Sequence, residues 1–374
     1  MKFLFIEPFY GGSHKDFADG LTRYSRFEID LVTLPARFWK WRMRGAALYF
    51  YRKIPSFDAY TGLITSGLMS LSDLKALCGG RLPPSIVYLH ENQLTYPLAP
   101  GEQMDYQFGF TDITTALSAD RIVFNSHTHY RSFFSHLPGF INMMPEFTPK
   151  WVIHEIQKKA GVIYPGCHYP ADVTLHDRKP GKPPLIIWNH RWEFDKKPEV
   201  FFQALSFLME KGADFRVALL GEHYQRVPSV FSDAKKKFGD RIIRYGYVDC
   251  RSEYYNWLSR GDIVVSTADQ ENFGISIIEA IRHGCIPLVP RRLSYPEILP
   301  DEFHPLFLYE NPNDLFEKLL AMVLCPEPFF PHRKGLSESM KKFAWENQIV
   351  LFDEMLDKLT CTVNSEKQRY PSPG

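Results

Sequence analysis

Asp262-Ile-Val-Val-Ser-Thr-Ala268, then Glu271-Asn-Phe-Gly-Ile-Ser-Ile-Ile-Glu279, then Ala280-Ile-Arg-His-Gly-Cys-Ile-Pro-Leu-Val289 read in order as a buried strand, a tight loop, an amphipathic helix closed by Gly284 and a second buried strand. Glu271 stands in the loop at the helix mouth. Glu279 follows on the helix, beyond Gly274, whose missing side chain lets backbone approach a ligand closely. Free N–H groups at such a helix start suit a phosphate, and carboxylates beside them suit sugar hydroxyls. The combination points to a nucleotide-sugar.

Outward from this unit, short apolar runs alternate with helical patterns. Strands are predicted at Phe3–Ile6, Glu28–Leu34, Gly62–Thr65, Ser85–Leu89 and Arg121–Asn125, with a sixth at Val162–Tyr164; Thr111–Ser118 and Thr128–Phe134 carry helical faces. A polar, Pro-rich passage, Asp172 to Pro184, has the composition of a linker. The alternation restarts with Leu185–Trp188, the helix Pro198–Lys211, and strands at Arg216–Leu220, Arg241–Tyr245 and Asp262–Ser266. This predicts an α/β protein of two Rossmann-like domains, parallel sheets facing a cleft, with ligands at the carboxyl ends of the strands. The divisions are 1–175, 185–336 and a segment 337–374, in which a Ser337–Leu359 helix returns to the first domain and Gln368–Gly374 frays.

Leu185–Trp188 runs into Asn189-His-Arg191-Trp-Glu-Phe-Asp-Lys196-Lys197-Pro198, cations at a strand end before a helix opened by proline. They suit a diphosphate, or else form a solvated basic turn. Gly221 and Gly246-Tyr247 end the next strands, at the depth of a nucleotide base. The set resembles the retaining glycosyltransferases of family 4, of GT-B fold, whose signature is two glutamates separated by seven residues. That resemblance implies that Arg191 and Lys196 bind the donor diphosphate and that Glu279 binds ribose. It also implies that Glu271 faces the donor sugar, with Phe273, Gly274 and Ile275 beside phosphate. Two departures stand out: Lys197 replaces a glycine, and Leu293-Ser294 replaces a Gly-Gly pair.

In the first half, Glu7-Pro-Phe-Tyr-Gly11-Gly12-Ser13-His14 is a glycine turn opening a helix, and Leu89-His90-Glu91-Asn92-Gln93 is a polar cluster at a strand end. The family resemblance brings Gly11 and Gly12 to the donor and His90 beside the donor sugar, among the catalytic residues with Glu271, Arg191 and Lys196. Asn125 and Ser126 stand at the mouth of the fifth strand. Arg37-Phe-Trp39-Lys40-Trp41-Arg42-Met-Arg44 and Tyr49-Phe-Tyr51-Arg52-Lys53 lie in a stretch without acids between Asp30 and Asp58. Basic residues interleaved with aromatics suit unpaired RNA bases, a membrane surface, or an amphipathic helix whose cations snorkel over the core.

The strings Glu7–His14, Thr33–Arg42, Tyr88–Pro97, Asn189–Lys196 and Tyr295–Ile298 resemble the tRNA-queuosine α-mannosyltransferases over nearly the whole chain. This implies transfer of mannose from GDP-mannose to the cyclopentenediol of queuosine in the anticodon of tRNA-Asp. The acceptor-side contacts are then expected at His14, Arg37, Trp39, Lys40, Trp41, Arg42, Arg44, Asn92 and Gln93. The alternatives are a family 4 enzyme acting on a lipid or small glycoside, and a non-catalytic RNA-binding protein on a transferase fold.

Bulk properties agree with a soluble, cytoplasmic enzyme. A net charge of +1 over 374 residues excludes a generally polycationic protein, so any RNA contact is a local patch. The six cysteines are scattered without metal-type spacing and read as reduced, buried thiols. No run approaches the ~18 apolar residues of a membrane span. Without an Asp-x-Asp pair or a His/Cys cluster, a metal-free reaction is expected, with no cofactor beyond the donor substrate. Arg191, Lys196 and the helix start would take the metal's part, and the departing phosphate would accept the proton, with His14 as an alternative base.

Overall fold

The computed structural model describes residues 1–98, 101–169, 173–175, 182–222 and 227–369, with side chains described through residue 360. Most of the predicted linker and the last five residues of the predicted frayed tail lie outside them. The chain divides into two compact units, Met1–His168 with Phe343–Gly374, and Tyr169–Lys342.

The first unit carries β1 (Lys2–Tyr10), β2 (Glu28–Pro35), β3 (Gly62–Ser66), β4 (Ser85–Leu89), β5 (Arg121–Phe124) and β6 (Ala160–Val162), all parallel, in the order β2-β1-β3-β4-β5-β6. Two helices matter below: α1 (Gly12–Tyr24) and α2 (Trp39–Lys53). Alternation along each strand builds both faces. Leu4, Ile6, Leu63, Val87, Leu89, Ile122 and Phe124 enter one core cluster, whereas Phe3, Phe5, Ile64, Ile86, Tyr88 and Val123 enter the other.

The second cluster is closed by the long helix Trp345–Arg369, through Trp345, Ile349, Phe352, Leu356 and Leu359. A methyl group at Gly20 or Gly166 would sit 2.0 or 2.1 Å from the Trp345 ring, so both glycines are required by that ring. Trp345→Ala removes a fully buried indole and should cost the first unit about 3–5 kcal/mol, read from chemical denaturation. A shift below 1 kcal/mol would show that the helix does not close this core.

The expected Ser337–Leu359 helix is corrected: a helix ends at Ser339, a 3₁₀ turn covers Met340–Phe343, and the long helix starts at Trp345. The helical periodicity continues across the break, but the backbone there is taken by pairing with another segment. Cys167 N–H donates to Phe343 O at 2.7 Å and Trp345 N–H to Cys167 O at 3.2 Å. The expected sixth strand at Val162–Tyr164 lies earlier, at Ala160–Val162.

The second unit carries β7 (Leu185–Trp188), β8 (Arg216–Leu219), β9 (Ile242–Tyr245), β10 (Ile263–Val265), β11 (Ile286–Pro290) and β12 (Leu308–Tyr309), again all parallel, in the order β12-β11-β10-β7-β8-β9. The strand order reverses between β1 and β3 in the first unit and between β7 and β10 in the second. Ligands bind α/β sheets at the carboxyl ends of such strands, where the connections diverge to opposite faces. Among the described residues, no helix is long and apolar enough to cross a membrane. Cys78, Cys167 and Cys285 are buried free thiols, but Cys250 and Cys325 are exposed, which corrects the expectation of buried cysteines throughout.

Candidate active site

In the second unit, the loop after β7 and the loop after β10 are stitched together. Thr267 Oγ1 donates to the carbonyls of Lys196 and Lys197 at 2.8 and 3.0 Å, and Asp269 N–H donates to Asp195 O at 2.7 Å. Lys196 is buried, its Nζ 2.5 Å from Gln270 O, 3.1 Å from Asp195 Oδ2 and 3.6 Å from Glu271 Oε2. The two motifs found separately in the sequence therefore meet as one ion-paired cluster. Arg191 is half-exposed and pairs with Glu193 at 3.3 Å.

Gly274, at φ 98°, caps the helix Ile275–Arg282, and a methyl there would meet Ile298 and Tyr295 at 3.1 and 3.4 Å. Glu271 Oε1 accepts from Phe273 N–H at 3.4 Å, which folds the carboxylate over the same turn. Glu279, buried on the helix, accepts from Tyr254 OH at 3.3 Å and Tyr255 OH at 3.5 Å. Asn189 donates to Tyr254 OH at 3.0 Å and to Ser276 O at 2.7 Å, joining the end of β7 to the helix start. Gly246 has φ 106° with open space around it, and Tyr247 beside it is half-exposed. Gly221 is tighter, because a methyl there would lie 1.7 Å from His190 O. Burial, helped by the positive Lys196, holds His190 at about 3, so it is neutral.

Both departures from the family's glycines keep glycine's backbone. Lys197 has φ 47° and Leu293 φ 60°, the left-handed region that costs an L-residue roughly 1 kcal/mol or more. The Lys197 side chain reaches Asp269 at 3.3 Å, and Ser294 Oγ donates to Phe273 O at 2.8 Å. The turn geometry is thus retained under strain.

In the first unit, polar residues from the ends of β1, β3, β4 and β5 converge. Gly11 is extended and packed on Ala36, whose Cβ a side chain at Gly11 would meet at 2.4 Å, and Gly12 (φ 51°) starts α1. His14 on α1 is buried, its Nδ1 3.2 Å from Glu7 Oε1 and its Nε2 3.3 Å from both oxygens of Glu91. Its ring lies 4.1 Å from that of His90. Asn125 Nδ2 donates to His90 O at 2.9 Å, and Asn92 Oδ1 accepts from the N–H groups of Leu94 and Thr95. Asn92 Nδ2 donates to His129 Nε2 at 2.8 Å, so Nδ1 of His129 carries the proton that it gives to Asn125 Oδ1, also at 2.8 Å. Gln93 N–H donates to Asp112 Oδ2 at 2.5 Å. The turn 90–95 is pinned from every side, with Asn92 a part of its frame.

Both ring nitrogens of His14 face carboxylates, which calls for a proton on each. Burial pulls its pKa down, but the charges of Glu91 and Glu7 outweigh burial and carry it up to about 10. An imidazolium has no lone pair to take a proton, so His14 does not serve as the base considered from sequence. Glu7, His14 and His90 do hold ligand-type atoms within 4.8 Å of one another, a cluster that sequence spacing did not reveal. A metal at His14 would have to displace one of its carboxylate hydrogen bonds. Burial holds His129 at about 3 and His90 well below its ordinary value, and lifts Asp112 to about 8.

A pH dependence follows. The stability contributed by His14 is complete below 6.5 and is lost as pH rises through about 10; that of Asp112 is lost as pH rises through about 8. His129 and His90 act in the opposite sense, costing stability as pH falls below 6.5, because only the unfolded chain then takes their protons. Ring-carbon NMR should show His14 as imidazolium, and His90 and His129 as neutral, unchanged from pH 7 to 8.5. A His14 midpoint near 6.5 would contradict the clamp.

On α2, Met43, Ala46, Ala47 and Phe50 point inward at helical spacing, whereas Arg37 and Phe38 just before it, and Lys40, Trp41 and Arg44 on it, are exposed. Trp41 is 77% and Phe38 66% exposed, large values for aromatics. Trp39 is turned partly inward, 5.1 Å from Phe108, and Arg42 donates to Pro35 O at 3.3 Å. Arg44 donates to Thr111 Oγ1 at 3.1 Å and Gln107 Oε1 at 3.0 Å. Glu7, Glu91, Asp112, His129, Asp195, Tyr254 and Tyr255 were not singled out from sequence. Glu7, Glu91 and Asp195 had a signal, their places in the strand-end strings Glu7–His14, Leu89–Gln93 and Asn189–Lys196; the other four had none.

Residues 2–167 match the family described as tRNA-queuosine alpha-mannosyltransferase N-terminal, and residues 176–343 match glycosyl transferases group 1. A tRNA-queuosine alpha-mannosyltransferase of Drosophila melanogaster is 37% identical over 346 residues, covering 90% of each chain. Among solved structures, a sucrose-phosphate synthase of Thermosynechococcus elongatus superposes with a TM-score of 0.72 at 14% identity, covering 97% of this chain and 100% of that one. Anabaena HepE, solved with UDP and glucose, gives 0.67 at 13% identity over 96% and 100% of the two chains. At such identities the likeness concerns the fold, which is GT-B.

Proposed function

Because the chain belongs to the tRNA-queuosine alpha-mannosyltransferase family, we propose that it moves mannose from GDP-mannose, with retention, onto the cyclopentenediol of queuosine in the anticodon of tRNA-Asp. The observation that carries this reading is the reach of the Drosophila likeness, which spans both units and not the glycosyltransferase half alone. The chain is a glycosyltransferase, and the second unit is its donor side in this reading. Lys196, Arg191 and the N–H groups from Phe273 to Ile275 receive the diphosphate. Glu279, held by Tyr254 and Tyr255, takes the ribose hydroxyls. Glu271 orients the sugar. Gly246 and Tyr247 border the base.

The first unit is the acceptor side. The acceptor oxygen bonds to the anomeric carbon on the face from which the diphosphate leaves. Its proton passes to the departing phosphate oxygen, so no separate base is required; with His14 already protonated, none is supplied by it. His90, neutral, is assigned to the donor sugar, and Gly11 and Gly12 give close backbone approach. Lys196, Arg191 and the helix start neutralise the leaving charge, and no metal or further cofactor is assigned. The exposed face of α2 is assigned to tRNA: Arg37, Lys40 and Arg44 to phosphates, Phe38 and Trp41 to unpaired bases. Trp39 and Arg42 support that face from within. The site of action is the cytoplasm, where this acceptor resides.

Donor and stereochemistry are tested together. Incubation with GDP-mannose, UDP-glucose or ADP-glucose and queuosine-bearing tRNA should consume GDP-mannose alone and give an α-linked product by NMR. Preference for another donor, or a β-linkage, would overturn those parts of the reading.

A further inference from the structure

Gly45 stands in the middle of α2, where a glycine weakens the helix because it has the most backbone freedom to lose. Packing does not call for it. Gly20 and Gly109, also inside helices, are required by the rings of Trp345 and Phe140, which leave no room for a Cβ. Among the described residues, a Cβ at Gly45 would meet nothing within 4 Å beyond the helix's own backbone. Gly139 is open too, but it lies in the last turn of its helix, directly after Pro138. The neighbours of Gly45 on the helix surface, three and four residues away, are Trp41 and Arg42 on one side and Leu48 and Tyr49 on the other. Trp41, Leu48 and Tyr49 are exposed, Leu48 by 62%. The glycine is therefore the floor of a notch between large side chains.

The face around the notch is positive and largely uncompensated. The six cations from Arg37 to Lys53 share a stretch with no acid, and among the described residues only Lys40 meets a carboxylate, Glu102 at 3.7 Å. Arg44 donates to neutral oxygens, Thr111 Oγ1 and Gln107 Oε1, which fix its guanidinium without cancelling its charge. Arg52 follows Trp41 and Leu48 on one stripe of the helix, with Lys53 beside it, and both are exposed. Their place in the last turn suits the helix dipole, but the dipole does not account for a whole face without acids. A polyanion fits this charge. A membrane surface fits it less well, since Arg44, Gly45 and Arg52 interrupt the apolar side chains.

We propose that the sugar-phosphate backbone of the tRNA crosses α2 at Gly45, seated on bare helix between Trp41 and Leu48, with phosphates held by Arg44, Arg52 and Lys53. This rests on the assignment of the exposed α2 face to tRNA and goes beyond it. The contact runs to the end of the helix, and a residue without a side chain makes room for it. Trp41 and Tyr49 border the strand, where unpaired bases stack. Phosphate contacts of this kind place the strand without reading its sequence.

The test is filter binding of the full chain to queuosine-bearing and queuosine-free tRNA. Gly45→Ala puts one methyl into the notch and should raise the melting temperature by roughly 2 °C while weakening both tRNAs. Gly45→Gln, with a longer side chain that also favours helix, should weaken both by roughly 10-fold and leave GDP binding unchanged. Arg52→Ala with Lys53→Ala should weaken both and lower the salt slope by about 2. Stability and binding then move in opposite directions, which a packing role does not produce. Wild-type affinity in Gly45→Gln overturns the proposal, as does a fall in melting temperature in Gly45→Ala. A loss confined to queuosine-bearing tRNA would seat the modified base in the notch and overturn the backbone assignment. Vesicles of anionic lipid are the control: wild-type binding to them that Gly45→Gln abolishes, with tRNA affinity intact, would give the face to a membrane. The wild-type chain is measured first. If it holds neither tRNA, the assignment of α2 falls and the proposal with it; if it holds both and the variants bind alike, the proposal falls alone.

Discussion

Glu271→Gln is expected to lower the rate of mannose transfer by roughly 10³-fold while GDP binding stays within about threefold. The two effects separate because of how the cluster is built. Lys196 holds Glu271 at 3.6 Å, but it also holds Asp195 at 3.1 Å and Gln270 O at 2.5 Å. Removing one carboxylate leaves Lys196 buried and still held by Asp195 and Gln270 O, so the diphosphate keeps the partner proposed for it. The reacting sugar loses the carboxylate assigned to orient it. The amide preserves volume and can still accept from Phe273 N–H, so the turn at Gly274 is not disturbed. Isothermal titration with GDP and single-turnover transfer read the two halves. Loss of both would mean that Glu271 acts on the nucleotide site, not on the sugar.

The second large effect is on α2. Lys40→Glu with Arg44→Glu and Trp41→Ala is expected to weaken tRNA binding by roughly 100-fold at 0.1 M salt and to flatten its salt dependence, with GDP binding unchanged. These positions follow from exposure. Lys40 meets an exposed Glu102 at 3.7 Å, a surface pair of little energy, and lies 5.4 Å over the Trp39 ring, while Trp41 is 77% exposed. Arg42 is a poorer probe, since its Nε is buried and its guanidinium holds Pro35 O, so changing it disturbs the start of the helix. Filter binding over a salt series decides it; an unchanged slope would return α2 to a packing role.

Much of this was legible in the sequence, for local reasons. Parallel strands buried on both faces appear as short apolar runs, and Leu185–Trp188 and Ser85–Leu89 lie where those runs predict. Glu271 and Glu279 were legible because one loop and one helix carry both. The break before Trp345 was not, since helical periodicity runs through it and only pairing with Cys167 interrupts it. The His14 clamp was hidden for a related reason: Glu91 lies 77 residues away and arrives by sheet order alone. Tyr254 and Tyr255 reach Glu279 from a neighbouring helix with no pattern of their own. Lys197 and Leu293 looked like departures from a glycine requirement. The backbone shows that the requirement persists and that these residues bear the strain.

The central claim is that this transferase acts on queuosine in tRNA. The direct measurement is transfer of label from sugar-labelled GDP-mannose to tRNA prepared from cells grown with and without queuosine. Label on tRNA-Asp from the first preparation and none on the second is the expected result. Label on both, or on neither, would contradict the account.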